Sequence, residues 1–190
     1  MKAYRLFAAA LLLISTGCTS ILVATTDENG IQEDPGLRTT GTIVEDEAIE
    51  TKVTVNMKSM EPAFRDAHFN VISHNGVVLL VGQVQSDALK IRAGEIAAEA
   101  SAQVRRVHNE LEVAGKTTML SRTNDSWIST KVRTQMAAND DIPSRQIRVI
   151  TENGVVYLMG LVSQAEGDRA ALLARNVTGV SKVVKVFEYI

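Results

Sequence analysis

The chain contains two copies of one sequence module. Residues 75–82 read Asn-Gly-Val-Val-Leu-Leu-Val-Gly, and residues 153–160 read Asn-Gly-Val-Val-Tyr-Leu-Met-Gly, so six of the eight positions are identical at an offset of 78 residues. The similarity continues on both sides. A repeat of this length holds a small domain with its own core rather than a solenoid unit. The sequence therefore predicts two tandem small domains, and neither copy contains a recognisable catalytic constellation.

The hydrophobic periodicity predicts the order αββαβ in the first copy. Asp46 precedes a stretch with apolar side chains at helical spacing, namely Ile49, Val53 and Met57, and Asn75-Gly76 is a strong hairpin signal between two strands. Gly82, inside the second strand, indicates a bulge or the close approach of another backbone. Ser86 then caps a second helix, and an alternating segment from residue 107 to residue 113 is typical of a third strand.

The second copy repeats this order, with Asn124-Asp125 as the predicted helix cap and Asn153-Gly154 as the turn. The predicted fold class is α+β, in which each copy forms a three-stranded sheet covered by two helices. Because a module of about 70 residues has a marginal core, we expect the two modules to pack together. We place the first domain at 46–114, a polar linker at 115–123 and the second domain at 124–190.

The amino terminus predicts export and lipid attachment. Lys2 and Arg5 precede nine apolar residues, and the small residues Ser15-Thr16-Gly17 lead to Cys18, the single cysteine of the chain. This order is typical of a signal peptide over 1–17. It resembles the lipobox of bacterial lipoproteins, although Ser15 stands where that family usually has Leu. The resemblance implies an acylated Cys18 as the anchor, with Thr19 favouring the outer membrane. Residues 18–45 are then predicted to be the lipidated Cys and a flexible spacer.

Composition excludes several classes of function. The net charge is −2, and removing the leader with its two cations leaves −4, which does not suit a nucleic-acid binder. The spacing of His68, His74 and His108 does not suggest a metal site. The sequence also lacks the glycine-rich and serine motifs of common enzymes. We therefore expect a protein without catalytic residues, bound metal or cofactor.

The first predicted helix of the second copy carries the only Trp. On a helical projection Ile128, Val132 and Gln135/Met136 form the inward stripe, and Trp127 lies beside that stripe rather than on it. An exposed Trp beside cations suits a membrane interface, since the indole prefers the headgroup level and the cations meet lipid phosphates. The alternative is that Trp127 packs against the other module, because Trp is usually largely buried.

The motifs together resemble the BON domain. The pattern is a helix, Val-x-Val before Asn-Gly, then Val-x-Leu-x-Gly, a second helix and Val-x-x-Val, and it covers nearly the whole chain after Cys18. The resemblance to lipoproteins with two BON domains implies a periplasm-facing outer-membrane protein that binds anionic phospholipid and supports envelope integrity, including at division sites. It also implies that this helix is the membrane-binding element. The residues carried over are Trp127, Thr130, Lys131, Arg133, Thr134 and Ala137. The alternative function is a scaffold that recruits an envelope protein through the acidic first copy or the sheet edges.

Overall fold

The computed structural model describes residues 36–115 and 119–190. The predicted signal peptide, Cys18 and most of the spacer lie outside the described residues, as do residues 116–118 of the predicted linker. Residues Pro35–Ile190 form one compact unit. None of the helices in the described ranges has both the length and the apolar character needed to cross a membrane.

Two modules with the same element order make up this unit. The first module contains α1 (Thr40–Met60), β1 (His68–His74), β2 (Val77–Val84), α2 (Asp87–Glu99) and β3 (Arg106–Val113). The second contains α3 (Met119–Ala137), β4 (Ile147–Glu152), β5 (Val155–Val162), α4 (Gln164–Arg175) and β6 (Lys182–Tyr189). The predicted α+β fold class and the αββαβ order are confirmed.

Each module has a three-stranded mixed sheet whose central strand is the one that follows the Asn-Gly turn. In the first sheet β1 pairs with β2 antiparallel and β2 pairs with β3 parallel, and the second sheet repeats this with β4, β5 and β6. The parallel pair requires a crossover, which α2 and α4 provide. Asn75 and Asn153 adopt positive φ (58° and 51°) together with the glycines that follow them, as the hairpin turn requires.

The two helices of each module cover one face of its own sheet. In the first module Ile49, Val53 and Met57 of α1 pack with alternate residues of the central strand, including Val78 and Leu80. In the second module the corresponding core contains Ile128, Val132 and Met136 of α3 with strand residues such as Val156 and Leu158. The apolar stripes of the helices therefore pack against the strand residues whose side chains point toward the helices.

The other face of each sheet packs against the other sheet, so the molecule has four layers in the order α/β/β/α. This contact is a separate apolar cluster, which we call the inter-sheet core; its buried members are Ile72, Val77, Leu79, Val81, Tyr157, Met159 and Val186. The central strands are consequently buried on both faces. The expectation that the modules pack together is confirmed, and burial raises the pKa of the Tyr157 phenol, with the carboxylates of Glu110 and Glu112 adding to the effect.

Both first helices begin earlier than the sequence indicated. Helix α1 starts at Thr40, where the Thr39 hydroxyl accepts a hydrogen bond from the Thr42 amide (3.2 Å), so the end of the predicted spacer is helical. Helix α3 starts at Met119, inside the predicted linker. Asp46 and Asp125 therefore do not cap helices; both lie inside them. The early turn of α1 was missed because Thr40, Gly41 and Thr42 are poor helix formers with no apolar period.

Candidate functional site

Helix α3 is fixed to its module by an aspartate as well as by its apolar stripe. The buried Asp125 carboxylate accepts hydrogen bonds from the backbone amides of Asn153 and Gly154, each at 2.8 Å. These are the two residues of the β4–β5 turn. The bonds hold one turn of α3 against one end of the sheet, and the outer surface of the helix has a defined orientation as a result.

The structure exposes Trp127. Its side chain is 60% accessible, and the Lys131 ammonium lies over the ring, 5.1 Å from its centroid. This distance is that of a cation–π contact. The alternative in which Trp127 is buried against the other module does not hold. The contact keeps a positive charge at the indole, so an apolar surface and a cation are presented together.

A strip of small residues adjoins this pair on α3. Thr130, Thr134 and Ala137 are all exposed. The hydroxyl of Thr130 donates to the Ser126 carbonyl at 2.9 Å, so its proton is already used within the helix. Such a hydroxyl costs less to remove from water than a free one. Thr130 can therefore approach a partly apolar environment without leaving its donor unpaired.

Arg133 lies on the other flank of this strip. It is about 120° around the helix axis from Trp127, and its Nη2 donates to the Val149 carbonyl of β4 at 2.9 Å. The structure thus brings Trp127 and Lys131 together but not Arg133. Gln135, which the sequence placed on the inward stripe with Met136, is exposed, because the stripe is completed instead by Asp125 and Ser129.

The charge of α3 (residues 119–137) is strongly one-sided. Its only acidic residue is Asp125, which is buried and paired with backbone amides, whereas Arg122, Lys131 and Arg133 are cations. An outer face without exposed carboxylates attracts anions, and the effect extends over roughly one Debye length, about 8 Å at physiological salt.

The first module has the same construction without this surface. Asp46 of α1 accepts hydrogen bonds from the Asn75 and Gly76 amides at 2.8 and 3.0 Å, as Asp125 does in the second turn. This equivalence aligns Trp127 with the exposed Ala48. Helix α1 also carries exposed Glu45 and Glu47. The two copies share a scaffold, but of the two helices α1 and α3 only α3 carries an exposed aromatic side chain beside a cation; α1 has the exposed Lys52 at the position equivalent to Lys131 and Ala48 in place of Trp127.

Sequence reasoning missed the two turn-binding aspartates and the polar contacts between modules. The Arg148 Nη1 of β4 donates to a Glu50 carboxylate oxygen and to the Ser73 carbonyl, both at 2.8 Å. The Gln83 amide donates to Glu152 at 2.9 Å. A signal for the aspartates existed, since both precede an apolar helical stripe by the same number of residues in each copy. No spacing pattern in the sequence indicates the polar contacts between the modules.

Comparison with known proteins agrees with this architecture. The BON domain model matches residues 45–115 and 124–190. The chain is 39% identical to the "21 kDa hemolysin" of Actinobacillus pleuropneumoniae over 153 residues, covering 80% of this chain and 78% of that protein. It is 37% identical to "Outer membrane lipoprotein DolP" of Haemophilus influenzae over 160 residues, with coverage of 84% and 81%.

A third relative is more distant but equally well covered. The chain is 31% identical to "Osmotically-inducible protein Y" of Escherichia coli over 163 residues, covering 84% of this chain and 80% of that protein. The matched segments of the domain model coincide with the two αββαβ modules of the structure. On these grounds the chain belongs to the BON-domain family and contains two BON domains.

Proposed function

We propose that this protein is a lipid-anchored component of the outer membrane that faces the periplasm and binds anionic phospholipid through the outer surface of α3. In this proposal Cys18 carries the acyl anchor, and binding supports the integrity of the envelope, including at division sites. The name of the Haemophilus influenzae relative, an outer membrane lipoprotein, supports the location. The membrane-binding residues proposed are Trp127, Thr130, Lys131, Arg133, Thr134 and Ala137.

The observation that carries the proposal is the exposed indole of Trp127 with the Lys131 ammonium 5.1 Å from its ring. Removing about 150 Å² of indole surface from water at roughly 25 cal/mol per Å² gives about 4 kcal/mol. Each cation near an anionic surface adds about 1 kcal/mol. These terms give weak binding on their own, and a lipid anchor raises the effective concentration of the helix at the membrane.

Flotation with vesicles tests the proposal. Residues 19–190, which lack the anchor cysteine, should float with vesicles that contain phosphatidylglycerol and much less with neutral vesicles. Trp127→Glu should reduce the bound fraction at least tenfold, since about 4 kcal/mol of burial is lost. The matched control is Ala48→Glu, which places the same charge at the equivalent exposed position of α1 and should float like the parent protein. Equal flotation of the Trp127→Glu variant and the parent would refute the membrane role of α3.

A protein-binding role is the second candidate, and one observation favours it. Helix α1 exposes Val44 and Val55, which are 61% and 54% accessible and lie on the same side of the helix. Charges of both signs flank the two valines, since Glu47, Lys52 and Lys58 are exposed around them, and a carboxylate beside an apolar strip suits an anionic lipid surface less well than cations alone. Val55→Lys should weaken capture of an envelope partner by the first module without changing flotation.

A further inference from the structure

An open cavity lies on the Arg133 flank of α3, where the two modules meet. Its volume is about 300 Å³, and it is bounded by α3, by β4 and by the start of β1. Three arginines line it: Arg122 and Arg133 from α3, and Arg148 from β4. A volume near 300 Å³ is at the lower end of small-ligand sites, so it suits a headgroup rather than an acyl chain.

The acidic residues at the cavity already have partners. Asp125 accepts from two backbone amides. A Glu152 oxygen accepts from the Gln83 amide at 2.9 Å and lies 3.6 Å from the His68 ring. In these contacts the partners of Asp125 and Glu152 are backbone amides, Gln83 and His68. None of these bonds uses one of the three arginines of the cavity.

Two of these arginines, Arg133 and Arg148, retain N–H donors. Both bonds of Arg148, to Glu50 and to the Ser73 carbonyl, are made by Nη1, and the bond of Arg133 to Val149 is made by Nη2. A guanidinium has five N–H donors in a fixed planar fork, and this geometry matches two oxygens of a phosphate. The hydroxyls of Ser126 and Ser129 also line the cavity.

We propose that this cavity binds the phosphodiester of an anionic lipid headgroup while the Trp127 flank of the same helix lies in the membrane. The inference rests on the proposed membrane role of α3 and adds a second contact to it. Thr130 and Thr134 separate the two flanks, and Arg133 lies at the border of the cavity. One lipid phosphate held here would fix the rotation of α3 about its axis on the membrane, which a lone inserted indole does not do.

A soluble probe separates this proposal from membrane insertion. Glycerophosphoglycerol, the deacylated headgroup of phosphatidylglycerol, is titrated into ¹⁵N-labelled residues 19–190, with inorganic phosphate in a parallel series. We expect saturable amide shifts at Ser126, Ser129 and residues 149–151 with millimolar affinity for the headgroup. The same shifts should persist in Trp127→Glu. Absence of shifts at these residues, or saturation by phosphate alone, would overturn the headgroup site.

Three substitutions test whether headgroup binding depends on the charge of the cavity. Arg148→Gln and Arg133→Gln should each weaken headgroup binding about fivefold, as expected for about 1 kcal/mol per cation. Glu152→Gln keeps an acceptor for Gln83 but removes a negative charge, so it should strengthen binding. The matched control Arg175→Gln, on the exposed surface of α4, should change nothing. Arg133→Gln keeps the test valid if Arg148→Gln disturbs the contact between modules.

The two proposals fail in distinguishable ways. If the parent floats and Trp127→Glu does not, but the headgroup causes no shifts at the cavity, only the headgroup site is refuted. If flotation of the parent is independent of Trp127 while the cavity still binds the headgroup, the membrane role of the Trp127 flank is refuted instead. Equal headgroup affinity in Glu152→Gln, Arg148→Gln and the parent would also reject the site.

Discussion

Asp46→Asn tests whether the turn-binding aspartates hold each first helix to the turn of its own module. The Asp46 side chain is 2% accessible, and its two oxygens accept four hydrogen bonds. The donors are the amides of Asn75 and Gly76, the Ser73 hydroxyl at 2.7 Å and the Arg38 guanidinium at 2.8 Å. Asn has nearly the same shape, so the substitution changes charge and acceptor number and little else.

The structure sets the magnitude of this effect. An amide group can accept through only one of its two terminal atoms, so the partners of the other oxygen, the Asn75 amide and the Arg38 guanidinium, meet a donor instead of an acceptor. A hydrogen bond to a charged group contributes about 1.5–3 kcal/mol, and Arg38 is partly exposed. We expect Asp46→Asn to lower the free energy of unfolding by about 3 kcal/mol.

Urea unfolding at pH 7, followed by circular dichroism, measures the difference. Glu47→Gln is the control, because it removes the same charge from the neighbouring exposed position and should stay within about 0.5 kcal/mol of the parent. If Asp46→Asn costs no more than this control, the hydrogen bonds at the turn do not stabilise the fold and the reasoning is wrong.

The pH dependence of the same difference is a second check. Burial raises the pKa of Asp46, but the hydrogen bonds from Gly76, Ser73, Arg38 and Asn75 together hold it below its ordinary value. The stabilisation by the ionised group is therefore complete above the unfolded pKa of about 4 and is lost as the pH falls through the folded pKa. The difference in free energy of unfolding between Asp46→Asn and the parent should therefore become smaller in that acidic range.

Two other substitutions test the strand geometry and the response to acid. Gly82 has φ +121°, and an added Cβ would lie 2.3 Å from the His68 carbonyl oxygen. Gly82→Ala should therefore lower the free energy of unfolding by about 3 kcal/mol, measured by thermal or urea unfolding. The control Gly41→Ala, where an added Cβ makes only ordinary contacts, should not destabilise the protein. Burial, with repulsion by Arg38 and Arg148 outweighing attraction by Asp46, lowers the pKa of His74 to about 4. The parent should therefore lose up to about 3 kcal/mol as pH falls from about 6.5 to about 4, and His74→Leu should flatten this slope; an unchanged slope would exclude His74 as its source.

Most of the fold could be predicted because each element carries a local signal. The predicted Asn-Gly turns locate the starts of Val77–Val84 and Val155–Val162, because such a turn fixes where the following strand begins. Of the two possibilities that the sequence indicated for Gly82, a bulge or a close approach of another backbone, the structure shows the close approach, to the backbone of β1. The predicted Ser86 cap of α2 is confirmed. The starts of α1 and α3 were wrong, because Thr40–Thr42 has no apolar period and because an aspartate before an apolar stripe resembles a cap.

The candidate site was only partly predictable. Helical periodicity separated Trp127 from the buried stripe, and the structure confirms that separation. The periodicity could not show that Arg133 bonds to the Val149 carbonyl, or that Arg148 and Glu50 meet across the modules. These contacts join residues 16 and 98 positions apart, and they depend on how the two sheets pack, which has no periodic signature.

The packing of the two sheets explains where a duplicated domain can acquire a function. The inter-sheet core buries the second face of both sheets, and the turn-binding aspartates hold α1 and α3 in equivalent positions. Changes at Ala48 or Trp127 therefore alter the outer surface of a helix without changing the scaffold below it. The two copies have diverged at these outer positions. Helix α1 has exposed valines and a face of mixed charge, with Glu45, Glu47, Lys52 and Lys58 exposed, whereas α3 has an aromatic, cationic face. A Trp placed at Ala48 would have Lys52 one turn away, as Trp127 has Lys131, but Glu45 and Glu47 would also lie beside it. The fold alone therefore does not make a membrane-binding surface; the helix that carries the indole must also lack exposed carboxylates.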